Sequence, residues 1–418
     1  MLASNVNLVT LKKGWSRSSI NTTIFRYNSI SSFGDIQVVG FYDTKRRLTL
    51  AQRKINESEW EFNTLSYKGK TRDSHNVITL MHDAKAYLHV AWDHHNHPLR
   101  YTRSVTPESI ELQDKISMTG VQEKKVCYPE FYHDRNGDIL FFYRTGGSGH
   151  GNLNVKKYNA ESREWSDTRI DLIHGGDERN PYWQVAVDVT GAIHVSWVWR
   201  ETGDASTNHD ICYAKSTDGG KTWHSSKDVP YSLPITVDNA EVIVPISQGR
   251  NLINTGTMAT DSKGKPYITM YWQPRNEAIP QYMLVYQDSD NTWQSSKIIH
   301  QSIPFDLEGR GSLKIPISRP RILIDRDDHF FVLFRAVDRG SRVSIAGSTD
   351  LRNWVIKDLT EFPVGEWEPS IDSKMWNEQN MLHLYVQNVK QRNHGGNTFF
   401  KHQLVTVLEW DPIDFFNN

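Results

Sequence analysis

The sequence predicts an all-β protein, a seven-bladed β-propeller that forms one domain over residues 1–418. Three observations support this prediction. A short Asp-rich turn, usually ending in Trp, recurs seven times at intervals of 50 to 70 residues. A second turn with an Asp precedes these copies and is followed by alternating apolar residues. Helical patterns are almost absent. Seven repeats of this length, each with four short strands, are typical of a propeller.

The Asp-rich turn is clearest in STDGGKTW, residues 216–223. Its copies end at positions 60, 110, 165, 223, 293, 354 and 410, of which the second is a degenerate copy and the last is the weakest. Trp at the same position of successive repeats is expected to pack between adjacent blades. The turn resembles the Asp-box of sialidases and related propellers, and this resemblance implies the fold without implying a reaction.

The second turn has Asp at its first position and usually Gly at its fourth, as in Asp134 to Gly137 and Asp188 to Gly191. This pattern favours a type I turn, and the apolar alternation around it predicts a β-hairpin. Each repeat is therefore predicted to hold four strands. The seventh repeat runs out soon after Trp410, so the N-terminal stretch NVNLVTL is predicted to supply its missing outer strand and to close the ring.

Composition excludes several function classes. Lys and Arg number 48 against 49 Asp and Glu, a net charge of -1, which gives no support for binding to nucleic acid or to an acidic membrane surface. No apolar run approaches the roughly 18 residues of a membrane span. Two cysteines exclude a disulfide-dense scaffold. We expect a monomer. Residues 1–15 lack the apolar core of a signal peptide, so either the protein is cytoplasmic or a leader is missing from this chain.

Side-chain parity along the predicted strands places a polar set at one mouth of the ring. The first strand of a blade begins beside the end of the second, and residues an even number apart share a face. The residues selected in this way are His75, His95, Tyr128, Arg144, Tyr182 and Arg200, with Arg319 and Arg335 extending the set. Imidazoles, phenols and guanidiniums form an electropositive cleft, which suits an acidic ligand.

This set of side chains favours elimination from a uronic acid over hydrolysis of a glycosidic bond. A glycosidase normally needs two facing carboxylic groups, and no matched pair occurs at these mouth positions. Elimination from a uronic acid needs a base for the proton at C5, a cation or hydrogen-bond donor for the carboxylate, and an acid for the oxygen leaving C4. His, Tyr and Arg can supply all three, and no cofactor is required.

The segments DSHNVI and AWDHHNHPLRY resemble those of propeller polysaccharide lyases that act on ulvan. His75 and His95 are 20 residues apart, and Tyr128 and Arg144 are 16 apart, as in that family. The resemblance implies that His75 and Tyr128 are the acid/base pair and that His95 and Arg144 neutralise the uronate carboxylate. Tyr182 would position the substrate, and Arg200 would bind it. The substrate would be an acidic polysaccharide that contains rhamnose and uronate and is sulfated, such as ulvan.

Three alternatives stay open: an exo-acting lyase on rhamnose–glucuronate, a propeller glycoside hydrolase and a non-catalytic glycan-binding propeller. A glycan substrate of this kind implies a secreted or periplasmic protein. His209 and Cys212, in His-x-x-Cys spacing, form a weak candidate for a structural metal site that would hold zinc or calcium.

Overall fold

The computed structural model describes residues 2–23 and 28–417, and within them the strands form seven separate sheets arranged as a β-propeller. The first three sheets consist of β2 (Ile30–Phe33), β3 (Ile36–Tyr42), β4 (Arg47–Lys54) and β5 (Glu61–Lys68); of β6 (Ile78–His82), β7 (Leu88–Trp92) and β9 (Tyr101–Arg103); and of β8 (His95–His97), β10 (Val126–His133), β11 (Ile139–Gly147), β12 (His150–Asn159) and β13 (Glu164–Ile173).

The next three sheets have four strands each: β14 (Asn180–Val187), β15 (Ile193–Arg200), β16 (Asn208–Ser216) and β17 (Glu241–Val244); β18 (Thr257–Thr260), β19 (Pro266–Trp272), β20 (Gln281–Gln287) and β21 (Trp293–Ile299); and β22 (Arg321–Ile324), β23 (Phe330–Phe334), β24 (Ser344–Ser348) and β25 (Val355–Asp358). The last sheet consists of β1 (Val6–Gly14), β26 (Leu382–Val386) and β27 (Gln403–Trp410).

Helical structure is sparse in the described residues. One α-helix, α1 (Ser373–Gln379), has seven residues, and single 3-10 turns occur at Ser19–Asn21, Ala205–Thr207 and Val337–Arg339. No helix in this part of the chain has the length and apolar character needed to cross a bilayer.

The core lies between neighbouring blades. All eight residues of β15 and all seven of β19 are buried, because each of these central strands is covered on both faces. The tryptophans of the Asp-rich turns also join neighbouring blades. Trp165 Nε1 donates to the Tyr101 hydroxyl in the preceding blade, and Trp410 packs edge-to-face on Phe331. This packing fixes the angle between blades and therefore the width of the central mouth.

The hairpin turns are built as the sequence predicts. In the turn at Asp134, the carboxylate accepts hydrogen bonds from the backbone of Asn136 and Asp138, and Gly137 donates to the Asp134 carbonyl. Gly137 has a φ of 77°, which explains why glycine is preferred at the fourth position.

The strand count per blade departs from the uniform four that the sequence predicts. The second and last sheets have three strands each, and beyond β9 the second sheet has, among the described residues, only the isolated bridges Tyr101–Ile116 and Ser104–Leu112. The third sheet has five strands, because β8 of the second repeat pairs with β10. His95 thereby lies opposite Cys127. This exchange of one short strand brings His95 next to Tyr128.

The two ends of the chain meet in the last sheet. Strand β1 pairs antiparallel with β27 from Val6 opposite Trp410 to Gly14 opposite Gln403, so the N-terminal strand is the outermost of its sheet. Val9 and Leu11 are buried on its inner face. The ring is therefore closed by strand pairing between distant parts of the sequence.

Deletion of residues 1–10 is expected to lower the melting temperature by at least about 4 °C, because it exposes the edge of β27 and the apolar surface under Val9. Differential scanning calorimetry measures the change. Deletion of residues 1–4 serves as the control because it leaves β1 intact. An equal melting temperature for the wild type and the longer deletion would show that this pairing does not stabilise the ring.

Candidate active site

A cavity of about 320 Å³ opens at the mouth where the inner strands of several blades begin. Five of the six residues that parity selects line it, as do both residues expected to extend the set: His75, His95, Tyr128, Tyr182, Arg200, Arg319 and Arg335. Its lining also includes segments 307 and 310–313, which belong to the long connection between β21 and β22. Strand ends and the connection between β21 and β22 therefore both line the mouth.

Asp73 joins the two histidines. Its Oδ1 lies 2.5 Å from Nδ1 of His75, and its Oδ2 lies 2.6 Å from Nδ1 of His95. The imidazole rings stack with their centroids 4.3 Å apart. Burial alone would raise the pKa of Asp73, but the two imidazoles outweigh it and hold that pKa well below its usual range. An ionised carboxylate accepts hydrogen bonds only, so it keeps a proton on Nδ1 of both rings.

His75 is neutral by preference. Burial lowers its pKa, and the neighbouring His95 lowers it further, against the opposing effect of Asp73. A neutral imidazole whose proton is on Nδ1 can accept another at Nε2. His94, beside His95 in the sequence, is instead fully buried, and its Nε2 accepts a hydrogen bond from the backbone of Arg100.

Tyr128 lies at a β-bulge. The register between β10 and β11 shifts between Cys127 and Glu130, and Tyr128 has a φ of 53°. A non-glycine residue in this left-handed region costs on the order of 1–3 kcal/mol, and such strain is concentrated at functional sites. The bulge turns the Tyr128 ring towards the histidines, with its hydroxyl 3.4 Å from Nε2 of His95. Burial raises the pKa of Tyr128, so the phenol keeps its proton at neutral pH.

Arg144 is placed differently from its expected role. It is fully buried, and its guanidinium lies 4.8 Å from the centre of the Tyr128 ring and 5.2 Å from that of Tyr182. The two phenols thus separate it from the cavity, whose lining does not include it. Arg144 therefore packs against the rings of Tyr128 and Tyr182 on the side away from the cavity. Of Arg144 and Arg200, only Arg200 lines the cavity.

The far wall of the cavity carries charges of both signs. Arg319 pairs with Glu368 at 2.8 Å and also donates to Asn254. Arg335 donates to the carbonyl groups of Ile315 and Pro316. Glu366 and Glu368 both line the cavity. The structure therefore brings two carboxylates to the mouth that strand parity does not predict.

His209 and Cys212 do not come together with further ligands. Both ring nitrogens of His209 face carboxylates, with Nε2 2.8 Å from Glu201 and Nδ1 3.0 Å from Asp210. Cys212 is buried in the main apolar cluster. Within residues 2–23 and 28–417, no group of three or more potential ligands includes either residue.

Two other groups have ligand atoms within 4.8 Å of one another: Asp73, His75 and His95 at the mouth, and Asp325, Asp327 and His329 in a hairpin turn. The first group is held by the two Asp73 hydrogen bonds described above. In the second, the Asp325 carboxylate accepts from the backbone of Asp327 and His329, as in the other hairpin turns. Both groups are thus accounted for by hydrogen bonds.

Sequence reasoning misses Asp73, Glu366 and Glu368. The signal for Asp73 is its position two residues before His75, a spacing at which a loop carboxylate can reach the imidazole and also the backbone N–H of the same residue. Glu366 and Glu368 lie in a segment outside the named strands, where side-chain parity has no meaning. No comparable signal precedes them.

Comparison with known proteins agrees with the fold. The profile of the BNR repeat-containing family matches residues 36–301. The ulvan lyase, long isoform, of Glaciecola sp. (strain KUL10) is 27% identical over 150 residues, which are 31% of this chain and 14% of that protein. The chain therefore covers about one seventh of the length of this relative.

Two solved structures share the whole architecture. The polysaccharide lyase Uly1 superposes with a TM-score of 0.69 at 14% identity, covering 98% of this chain and 100% of that one. A PL25 ulvan lyase bound to -[GlcA(1-4)Rha3S]- superposes with the same TM-score and identity, covering 95% and 96%. At this identity the likeness establishes the propeller and leaves the chemistry to the residues.

Replacement of Asp73 by Asn is expected to break the common tautomer of the two histidines, because the amide accepts one hydrogen bond but donates the other. Nitrogen-15 NMR of labelled histidine distinguishes the two tautomers. We expect Nδ1–H for both rings in the wild type and for only one in Asp73→Asn.

Asp327→Asn, an exposed change in a distant turn, is the control and leaves both signals unchanged. Identical tautomers in Asp73→Asn and the wild type would show that Asp73 does not set them.

Proposed function

The chain belongs to the BNR repeat-containing family, and from this premise we propose that it is a polysaccharide lyase. Its substrate is an acidic glycan of rhamnose and uronate, with ulvan as the first choice, and the cut is a β-elimination at the uronic acid. The observation that carries the proposal is the set of side chains at the mouth. Two imidazoles, both held by the Asp73 carboxylate, face a protonated phenol beside guanidiniums suited to an anion.

The geometry supports the following assignment of the two proton transfers. His75 is the base, because burial favours its neutral ring and Asp73 holds the ring proton on Nδ1. It takes the C5 proton, and the electron pair of that bond forms the C4–C5 double bond as the C4–O bond breaks. Tyr128 is the acid, because burial keeps its phenol protonated, and it donates its proton to the leaving oxygen.

The carboxylate of the uronate must be neutralised for the C5 proton to be removed. His95 and Arg200 line the cavity and are the groups we assign to it. His95 can do so by taking up a proton at Nε2 as the anion binds, while its Nδ1–H stays hydrogen-bonded to Asp73. Arg144, behind the phenols, acts through them. The remaining guanidiniums, Arg319 and Arg335, lie where neighbouring anionic substituents of the glycan, including sulfate, would approach.

A glycoside hydrolase is the second candidate, since Glu366 and Glu368 supply two carboxylates at the same cavity. Their surroundings argue for the lyase. Glu368 pairs with Arg319 at 2.8 Å and Glu366 lies 3.6 Å from Lys314, so each carboxylate already has a cationic partner within the protein. The general acid of a hydrolase instead needs surroundings that favour its protonated form.

Incubation with ulvan tests the function. We expect ultraviolet absorbance from an unsaturated uronate to rise with new reducing ends, and no rise with ulvan whose carboxyl groups have been reduced to alcohols. Because side chains supply both proton transfers, we also expect the same initial rate in EDTA. New reducing ends without absorbance would establish a hydrolase, and binding without cleavage would establish a lectin.

Four variants test the division of roles. Tyr128→Phe and His75→Asn remove a proton-transfer group and are each expected to lower kcat by about 10²- to 10⁴-fold with little change in KM. His95→Ala and Arg200→Lys weaken the hold on the carboxylate and are expected to raise KM as well as to lower kcat. Steady-state kinetics on ulvan measures both constants.

His224→Asn is the matched control, since the backbone of His224 pairs with Lys215 and the residue does not line the cavity. A near-normal kcat in both Tyr128→Phe and His75→Asn would place the elimination elsewhere.

A further inference from the structure

Two buried guanidiniums at the mouth lack a carboxylate partner. Arg144 has no exposed surface and Arg200 is 7% exposed. Among the residues that the structure describes, no Asp or Glu oxygen lies within 4.0 Å of either side chain, although Arg319 on the far wall has Glu368 at 2.8 Å. A buried charge without a counter-ion is strongly destabilising, so some other group must supply negative charge here.

Tyr182 is the residue that both guanidiniums contact. Its hydroxyl accepts a hydrogen bond from Nη1 of Arg200 at 3.4 Å, and the Arg200 guanidinium lies 5.5 Å from the centre of its ring. The Arg144 guanidinium lies 5.2 Å from the centre of the same ring. The Ser148 hydroxyl lies 3.4 Å from that of Tyr182 on the cavity side.

We propose that Tyr182 is a phenolate in the free protein and serves as the buried counter-ion of Arg144 and Arg200. The other polar and charged groups facing this pair are the Tyr128 phenol, the Ser148 hydroxyl, the thiol of Cys127 near Arg144 and the Asp204 carboxylate, which interacts with Arg200 at longer range. Burial by itself would raise the pKa of Tyr182, but Arg200 and Arg144 outweigh it and lower this pKa far below its ordinary value.

The charge on Tyr182 also explains why Tyr128 is the acid. The two rings lie 5.8 Å apart, and two adjacent phenolates would repel each other, so ionisation of Tyr182 keeps Tyr128 protonated. This consequence rests on the proposed function. A uronate carboxylate arriving at Arg200 would replace the phenolate as its counter-ion, and Tyr182 would then take up one proton from solvent.

The charge state can be measured without any substrate. Phenolate has a near-ultraviolet absorption that phenol lacks, and carbon-13 labelling at Cζ of tyrosine gives a separate NMR signal for the ionised ring. We expect about one phenolate per chain at neutral pH, whereas an unperturbed tyrosine ionises near pH 10. The signal should disappear at neutral pH in Tyr182→Phe and persist in Tyr128→Phe.

Tyr271→Phe is the matched control. Tyr271 is also fully buried near arginines, but one of these, Arg319, is paired with Glu368, and burial raises the pKa of Tyr271. The phenolate signal should therefore persist in this variant. Arg200→Gln is a second test that leaves all the tyrosines in place, and it should move the phenolate titration to higher pH.

The alternatives have distinct results. No phenolate at neutral pH, a thiolate signal that is lost in Cys127→Ser, or a phenolate that is lost in Tyr128→Phe but not in Tyr182→Phe would each overturn the assignment. Retention in both single variants would show a charge that either hydroxyl can carry, which also contradicts it. These readouts need no activity, so failure to cleave ulvan would leave the inference on Tyr182 standing.

Discussion

The packing of blades face to face is the constraint on which the rest of this structure depends. Each central strand is buried on both sides, as in β15 and β19, so a blade cannot be stable without its two neighbours. The ring must therefore close, and it does so by pairing β1 with β27. Because closure fixes the tilt of every blade, it also fixes the distance between strand ends at the mouth. The candidate site inherits its rigidity from the ring.

Within the closed ring, the arrangement of side chains at the mouth is set by the need of each buried charge for a partner. Asp73 is shared by two imidazoles, and Tyr182 is shared by two guanidiniums. In both cases one acidic group orders two basic ones. Both imidazoles line the cavity, and the charge proposed for Tyr182 gives both guanidiniums a counter-ion. A bound anion would enter an electrostatic field that is already formed, which is the condition for efficient stabilisation of a developing carbanion.

Local departures from regular structure are concentrated at the same place. Strand β8 joins the neighbouring blade, and Tyr128 adopts a left-handed conformation at a bulge. Each departure costs stability, and each moves one side chain of the site into contact with another. The surrounding strands, β11 and β12, are regular and buried and supply the packing that holds the strained segment.

The sequence by itself determined the all-β class, the number of blades and most of the mouth. It could do so because turns and apolar alternation are local signals, repeated often enough that single irregular copies do not matter. Parity along strands then selected His75, His95, Tyr128, Arg144, Tyr182 and Arg200. A fixed period of two explains this for Tyr182 and Arg200, which lie in the regular strands β14 and β15. His75 lies before β6 and His95 in β8, outside the hairpin strands from which they were counted.

Only the tertiary structure decided the rest. It placed Arg144 behind the phenols, joined both histidines through Asp73, and brought Glu366 and Glu368 to the mouth from a segment outside the named strands. It also set the charge expected of Tyr182. These features depend on how deeply each group is buried and on which groups from distant parts of the chain come into contact. Neither burial nor long-range contact follows a repeating pattern along the sequence.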